Sequence, residues 1–373
     1  MKLNLSKIIM FCFLVNFLDQ ANASKLKDVS YSFDSEKITA APDSFHFLRS
    51  FVDFFYLVFK KNQNDFNLKN ISDVQGWCVG DAHPENFGVL LLENQSPLFT
   101  MNDIDDSGPC PVALDLFRLM VSSRLYDEKI KLDDLKDAYV AGLKKEGFKV
   151  PKSILEMISK SQKRGIVPSD KKVSDNKIVR DSQMKELSDS EFAGIKRALN
   201  TYDHVLDPNF QILDVLATSK VGGGSGGLSR YEVLLKNGNS NLHLEFKEMV
   251  NPSVYPVSEN IPSPDQRVKK SILFNQGLGA SRLYKVVEMN AKSFFIRPRF
   301  AGNVGVTLEK QSTSDNKEII QYEAFSLGLI HSRSISDLNR WIDKVDSLKK
   351  SEWENDVSDM SEFFKKKYKS LKN

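Results

Sequence analysis

Apolar residues follow two rhythms along this chain, and the switches between them predict its elements. Over residues 43–62, Phe47, Leu48, Phe51, Phe54, Phe55 and Val58 recur at helical spacing, with Asp43 or Ser44 placed to cap. That pattern predicts one helix with a broad aromatic core face. Short apolar runs at 74–79, 87–92 and 98–101 follow, divided by polar turns; they read as strands, the last two forming a hairpin across a turn at 93–97. Helical spacing returns at 116–126, 132–145 and 189–199, whereas 160–185 is polar with few apolar positions and reads as a loop or mobile excursion. Alternating runs at 231–235 and 242–247 predict strands, 265–278 a helix, and 284–289 with 293–298 a second hairpin. A helix over 318–334 and an amphipathic, lysine-rich tail at 351–373 complete an α+β chain, the tail expected to dock on the core.

The N-terminus changes the picture first. Lys2 and Lys7 precede an apolar run from Ile8 to Leu18 broken by Asn16, and Ala21-Asn22-Ala23 stands before Ser24. This is the pattern of a cleavable export signal, since a membrane span needs roughly 20 apolar residues. The expected product is periplasmic or secreted, with no stable membrane span after cleavage. Removing residues 1–23 takes Lys2, Lys7 and Asp19 from totals of 52 basic and 49 acidic side chains, so the balance falls to +2. Such a balance gives no field for nucleic acid or an anionic membrane. Cys78 and Cys110 remain, and in an exported chain they read either as a disulfide or as two buried thiols.

Candidate chemistry concentrates in Gly80-Asp81-Ala82-His83-Pro84-Glu85-Asn86 and, one hairpin later, Asn102-Asp103-Ile104-Asp105-Asp106. Phosphoryl transfer needs one carboxylate to orient or deprotonate the acceptor, and an amide oxygen with another carboxylate to hold Mg²⁺ (or Mn²⁺) against phosphates. Asp81 and Asn86 have the D-x-x-x-x-N spacing of a kinase catalytic loop, and Asp103 or Asp105 would be the metal carboxylate. Asp115, near a helix start, reads as structural support. A surface turn rich in Asp and Asn is the alternative. The other informative stretch is Gly222-Gly223-Gly224-Ser225-Gly226-Gly227, which contains G-x-G-x-x-G and precedes two strands, the second carrying Lys247. Backbone amides at Gly222, Gly224, Ser225 and Gly227, with Lys247, would hold the phosphates of ATP. No amphipathic helix opens after these glycines, which argues against a dinucleotide fold. Arg297 and Arg299, beside a turn, are further phosphate candidates.

Residues 80–88, then Asn102-Asp103-Ile104-Asp105, then Asp115-Leu116-Phe117-Arg118-Leu119, resemble the DUF2252 family of bacterial proteins, whose members look like distant relatives of aminoglycoside phosphotransferases and protein kinases. The resemblance implies a two-lobed protein-kinase-like fold. It likens His83 to a histidine of small-molecule phosphotransferases and implies that it shapes the loop. It also matches Phe246-Lys247-Glu248 to a Val-Lys-Glu-like segment and His331 to an Ala-His-Ala-Arg-like one, where a packed helix histidine is expected. Two departures stand out. The helix that should offer Lys247 a glutamate reads Arg267-Val268-Lys269-Lys270, leaving Glu248 or Glu259 as substitutes or the pair missing. The small-lobe elements also follow the catalytic loop rather than precede it, so the expected fold is circularly permuted. The divisions are then a signal at 1–23, a helical lobe at 24–210, a β-rich nucleotide lobe at 211–310, and C-terminal helices at 311–373 that pack on the helical lobe. The functional expectation is an exported, metal-dependent phosphotransferase acting on an unknown small-molecule or protein acceptor. A catalytically inactive binding or scaffold protein of the envelope, or nucleotidyl transfer on the same fold, is the alternative.

Overall fold

A computed structural model describes residues 25–202, 204–219, 224 and 226–373. The expected signal at 1–23 and the glycine-stretch residues Gly222 and Ser225 lie outside the described residues. The protein is mixed α+β, and every strand pairing is antiparallel.

The aromatic run is two helices, Ser44–Ser50 and Val52–Asn62, where the spacing predicted one. Asp43 caps the first by accepting from the His46 amide at 2.8 Å, and Phe51 breaks the pair with φ −127° and ψ 65°. Tertiary packing prevails over local period here, because the break lets Phe47, Phe51 and Phe54 all close on the Phe33 ring at 4.8–5.7 Å. The C-terminal helix, Lys350–Lys372, docks on the same aromatic face: the ring of Phe364 lies 5.6 Å from that of Phe54, and Tyr368 5.7 Å from Phe47. Each buried Phe contributes about 1.5–3 kcal/mol relative to exposure. Helices Ala113–Tyr126, Leu132–Lys144 and Thr313–His331 complete this core.

A six-stranded sheet carries the second core. Its order is Lys285–Met289, Lys292–Pro298, Ser240–Met249, Arg230–Asn237, Gln211–Thr218 and Met184–Lys185. Period-two alternation sends Leu242, Leu244 and Phe246 to one face, where Val233, Leu235, Phe294, Ile296 and the helix Asp189–Leu199 meet them. Their neighbours His243, Glu245 and Lys247 go to the opposite face. A smaller sheet of Val304–Gly305, Phe87–Leu91 and Pro97–Met101 includes the predicted acidic-motif hairpin.

The predicted loop at 160–185 is partly ordered structure. Residues 160–164 finish the helix Lys152–Arg164, and Val173–Ser174 pairs with Lys177–Ile178. Ile178 is buried, and its amide donates to the Asp214 carboxylate at 2.7 Å. One well-placed apolar residue and one distant acceptor thus order a segment whose composition is polar.

Candidate functional site

The strand Gln75–Cys78 pairs with Gly108–Pro111, and a disulfide joins Cys78 to Cys110 across that pair, with Cα atoms 5.8 Å apart. The chain then turns through Gly80, whose φ of +84° suits glycine alone at this packing, since a Cβ would lie 2.1 Å from the Asp106 carbonyl. Asp115, fully buried, accepts from the Val79 amide at 2.6 Å and the Gly80 amide at 3.1 Å. His331 Nε2 lies 3.0 Å from the same carboxylate, and its Nδ1 lies 2.7 Å from Tyr139 Oη, which also accepts from Trp341 Nε1 at 2.8 Å. Asp115 and the packed His331 therefore hang the loop from two helices.

Asp81 emerges from this anchored turn. Its Oδ1 accepts from Arg118 Nη2 at 2.7 Å, and Oδ2 faces His83 Nε2 at 3.4 Å. Burial pushes the Asp81 carboxyl up, while His83 and Arg118 pull it down and prevail, holding it well below the usual carboxylate range. Burial also lowers His83, ahead of the opposing Asp81 charge, which leaves the ring neutral at pH 7. The Arg118 guanidinium is thus the charge that acts on Asp81. His83 Nδ1 bonds the Pro84 carbonyl, so its main work is to shape the loop. Asn86 donates from Nδ2 to the Asp81 carbonyl at 2.9 Å, and Glu85, at φ +78°, spans Arg49 Nη1 at 2.6 Å and the Leu308 amide at 2.9 Å.

The second acidic motif meets the large sheet. Lys247 Nζ lies 2.8 Å from Asp103 Oδ2 and 2.7 Å from Asp105 Oδ1, although 144 and 142 residues separate them. Arg297 Nη1 reaches Asp103 at 3.3 Å, and Arg297 and Arg230 both bind Glu245. Burial and the Asp103 charge push the Asp105 carboxyl up, whereas Lys247 and Arg297 outweigh burial at Asp103 and hold it low. The substitutes considered for the missing glutamate do not serve: Glu248 pairs with Lys292 at 3.0 Å, and the partners of Lys247 are the hairpin carboxylates. The helix Pro264–Gln276 instead contributes Arg267, which donates to the Asp105 carbonyl at 2.6 Å and the Val250 carbonyl at 3.0 Å.

These parts face one cleft of about 670 Å³, lined among others by Asp81, Asn86, Asp103, Lys247, Gly224, Arg49 and Arg299. The Gly224 carbonyl accepts from Lys37 at 3.2 Å, and Gly227 takes φ +84°. Asn86 Oδ1, Asp103 and Asp105 are hard oxygen donors of the kind Mg²⁺ or Mn²⁺ takes. Lys247 occupies the carboxylates, and among the described residues no group of three His, Cys, Asp or Glu is arranged as a ready metal site.

Several site residues escaped the sequence reading. Arg118 stood in a recognised motif without a role. His243, 2.8 Å from Glu232, and Glu245 share the alternation that carries Lys247, a signal that was present in 242–247. Asp106 and Arg267 stood in quoted stretches without a role, and Arg49 had no local signal.

Residues 37–143 and 144–365 match the family model described as an uncharacterized protein conserved in bacteria, DUF2252. The chain belongs to that family. No curated protein and no solved structure matches it. Among the described residues no helix is long and apolar enough to cross a membrane.

Proposed function

We propose that this protein is an exported phosphotransferase that moves a phosphoryl group from ATP, with Mg²⁺ or Mn²⁺, to an acceptor, on a two-lobed, circularly permuted kinase-like scaffold. The observation that carries the reading is the meeting of Lys247 with Asp103 and Asp105 beside Asp81 in one cleft. Asp81, kept ionised by Arg118, orients the acceptor hydroxyl more than it deprotonates it, which suits a loose transition state that asks little of a base. Asn86, Asp103 and Asp105 would hold the cation, which supplies charge neutralisation for the phosphates. Lys247 and the backbone at Gly224 and Gly227, with Gly222 and Ser225, hold the nucleotide. Permutation is supported by the C-terminal helices, which return to the aromatic helices near residue 50. Export is supported by the N-terminal pattern and by the disulfide, which persists in oxidising compartments.

A second reading has its own observation. Lys247 already bridges the two carboxylates and Arg267 stands where a glutamate is expected, an arrangement that fits a binding protein without turnover. The two are separated by following labelled γ-phosphate from ATP with each metal. Turnover that falls about 10²-fold or more in Asp81→Ala and Asp103→Ala is the expected result for an enzyme. Nucleotide binding without turnover assigns the protein to the second class, and nucleoside monophosphate on protein would mark nucleotidyl transfer.

A further inference from the structure

The cleft has a cationic wall that the proposed nucleotide machinery does not use. Arg164 ends the helix Lys152–Arg164, and the following residues run against the end of the large sheet: the Ala301 amide donates to the Val167 carbonyl at 2.8 Å, the Gly302 amide to the Gly165 carbonyl at 3.0 Å, and Pro168 bridges Phe300. Gly302 permits this approach, because a Cβ there would lie 2.7 Å from the Ser161 carbonyl and 2.8 Å from the Gly165 carbonyl. The Lys172 amide closes a turn onto the Ser169 carbonyl at 2.8 Å. Arg164, Ser169, Lys172 and Arg299 are thereby brought to the same cleft as Asp81.

The charges on this wall are not balanced. Among the described residues Arg164 and Lys172 have no ion-pair partner, and both are exposed. Arg299 reaches only Glu245, at 3.9 Å, and that carboxylate is already bound by Arg230 and Arg297. Of the acids lining the cleft, Asp81, Glu85 and Asp103 are engaged by Arg118, Arg49, Lys247 and Arg297, and Asp106 accepts from Ser253; Asp170, beside Ser169, forms no ion pair with Arg164 or Lys172. The pairing of 165–168 with 300–302 sets Ser169 next to Arg299, and two guanidinium forks, an ammonium and a hydroxyl lining one cleft are the groups that take the oxygens of a phosphate. Gly224 and Arg49 reach the cleft from other segments of the chain, and Arg49 is paired with Glu85.

We infer that Arg164, Ser169, Lys172 and Arg299 form an anion subsite that receives a phosphate group on the acceptor, so that the acceptor is itself a phosphorylated molecule. The orientation of this assignment rests on the phosphotransfer reading; the anion subsite does not.

The test is titration calorimetry of inorganic phosphate into the full-length protein and into Lys172→Gln/Arg299→Gln, beside thermal stabilisation of both by ATP with Mg²⁺. The expected result is phosphate binding that weakens at least tenfold in the double variant while its ATP-dependent stabilisation persists. Phosphate binding equal in the two proteins, or absent from the wild type, would overturn the subsite. Loss of ATP stabilisation together with phosphate binding would place the wall in the nucleotide site and overturn the acceptor assignment. If ATP stabilises neither protein but phosphate binding still depends on Lys172 and Arg299, the phosphotransfer reading fails and the anion subsite stands.

Discussion

Glu323 offers a measurable consequence of how the candidate loop is supported. It lies in the helix Thr313–His331 with no exposed surface, and neither carboxyl oxygen has a hydrogen-bond partner. Burial raises its pKa well above the usual 4.5, and the Glu85 charge adds to it. The folded protein therefore binds a proton here that the unfolded chain has released once pH exceeds its ordinary value. Stability contributed at this position is greatest below the unfolded pKa and falls as pH rises towards the folded one, with a slope of about 1.4 kcal/mol per pH unit. Glu323→Gln keeps the shape of the neutral acid and removes the proton. Relative to wild type, the variant should gain stability as pH rises from 5 towards 7, by about 1.4 kcal/mol per pH unit for as long as the folded carboxyl keeps its proton. Urea unfolding at pH 5, 6 and 7, with unchanged m, measures the difference while other titrating groups cancel. Parallel pH profiles for the two proteins would refute the claim that Glu323 is buried as the neutral acid.

Other perturbations test the anchors of the site. Replacing Cys78 and Cys110 by Ser opens a loop of 32 residues, and denaturant unfolding should show a loss of about 3–4 kcal/mol from the chain-entropy term; a loss under 1 kcal/mol would contradict a bridge that constrains the unfolded chain. Arg118→Met leaves Asp81 without its buried counterion and should cost about 3 kcal/mol. Adding Asp81→Asn to that variant should recover much of the loss, and additive effects in the double-mutant cycle would show that the pair is not coupled.

The sequence made the chemistry more legible than the packing. Asp81, Asn86, Asp103 and Lys247 were singled out because loop spacing and strand alternation are local signals, and all four line one cleft. The break at Phe51 was invisible because it answers to Phe33, a contact that helical period does not encode. The helix Leu338–Ser347 and the strand Gln211–Thr218 were not read as elements: Leu338, Trp341, Ile342 and Val345 do recur at helical spacing, so the helix signal was present, whereas polar Asp214 interrupts an otherwise apolar strand. The partner of Lys247 was sought on the following helix by likeness to kinases, whereas long-range geometry pairs it with the hairpin acids. Arg118 showed no special pattern because one arginine on a helix gains meaning only when the Asp81 loop folds over it. The cysteine pairing, open in the sequence, follows from the register that sets Gly76 opposite Cys110 and brings Cys78 within reach.

The central claim is that motifs more than a hundred residues apart form one metal-dependent nucleotide site. The most direct measurement is a thermal-shift titration with ATP and Mg²⁺ or Mn²⁺, run on wild type, Asp103→Ala and Lys247→Ala. At nucleotide 100-fold above Kd, binding adds about 2.7 kcal/mol of stability. The account predicts a metal-dependent upward shift in wild type that disappears in both variants; no shift with any nucleotide, or a shift that survives both substitutions, would contradict it.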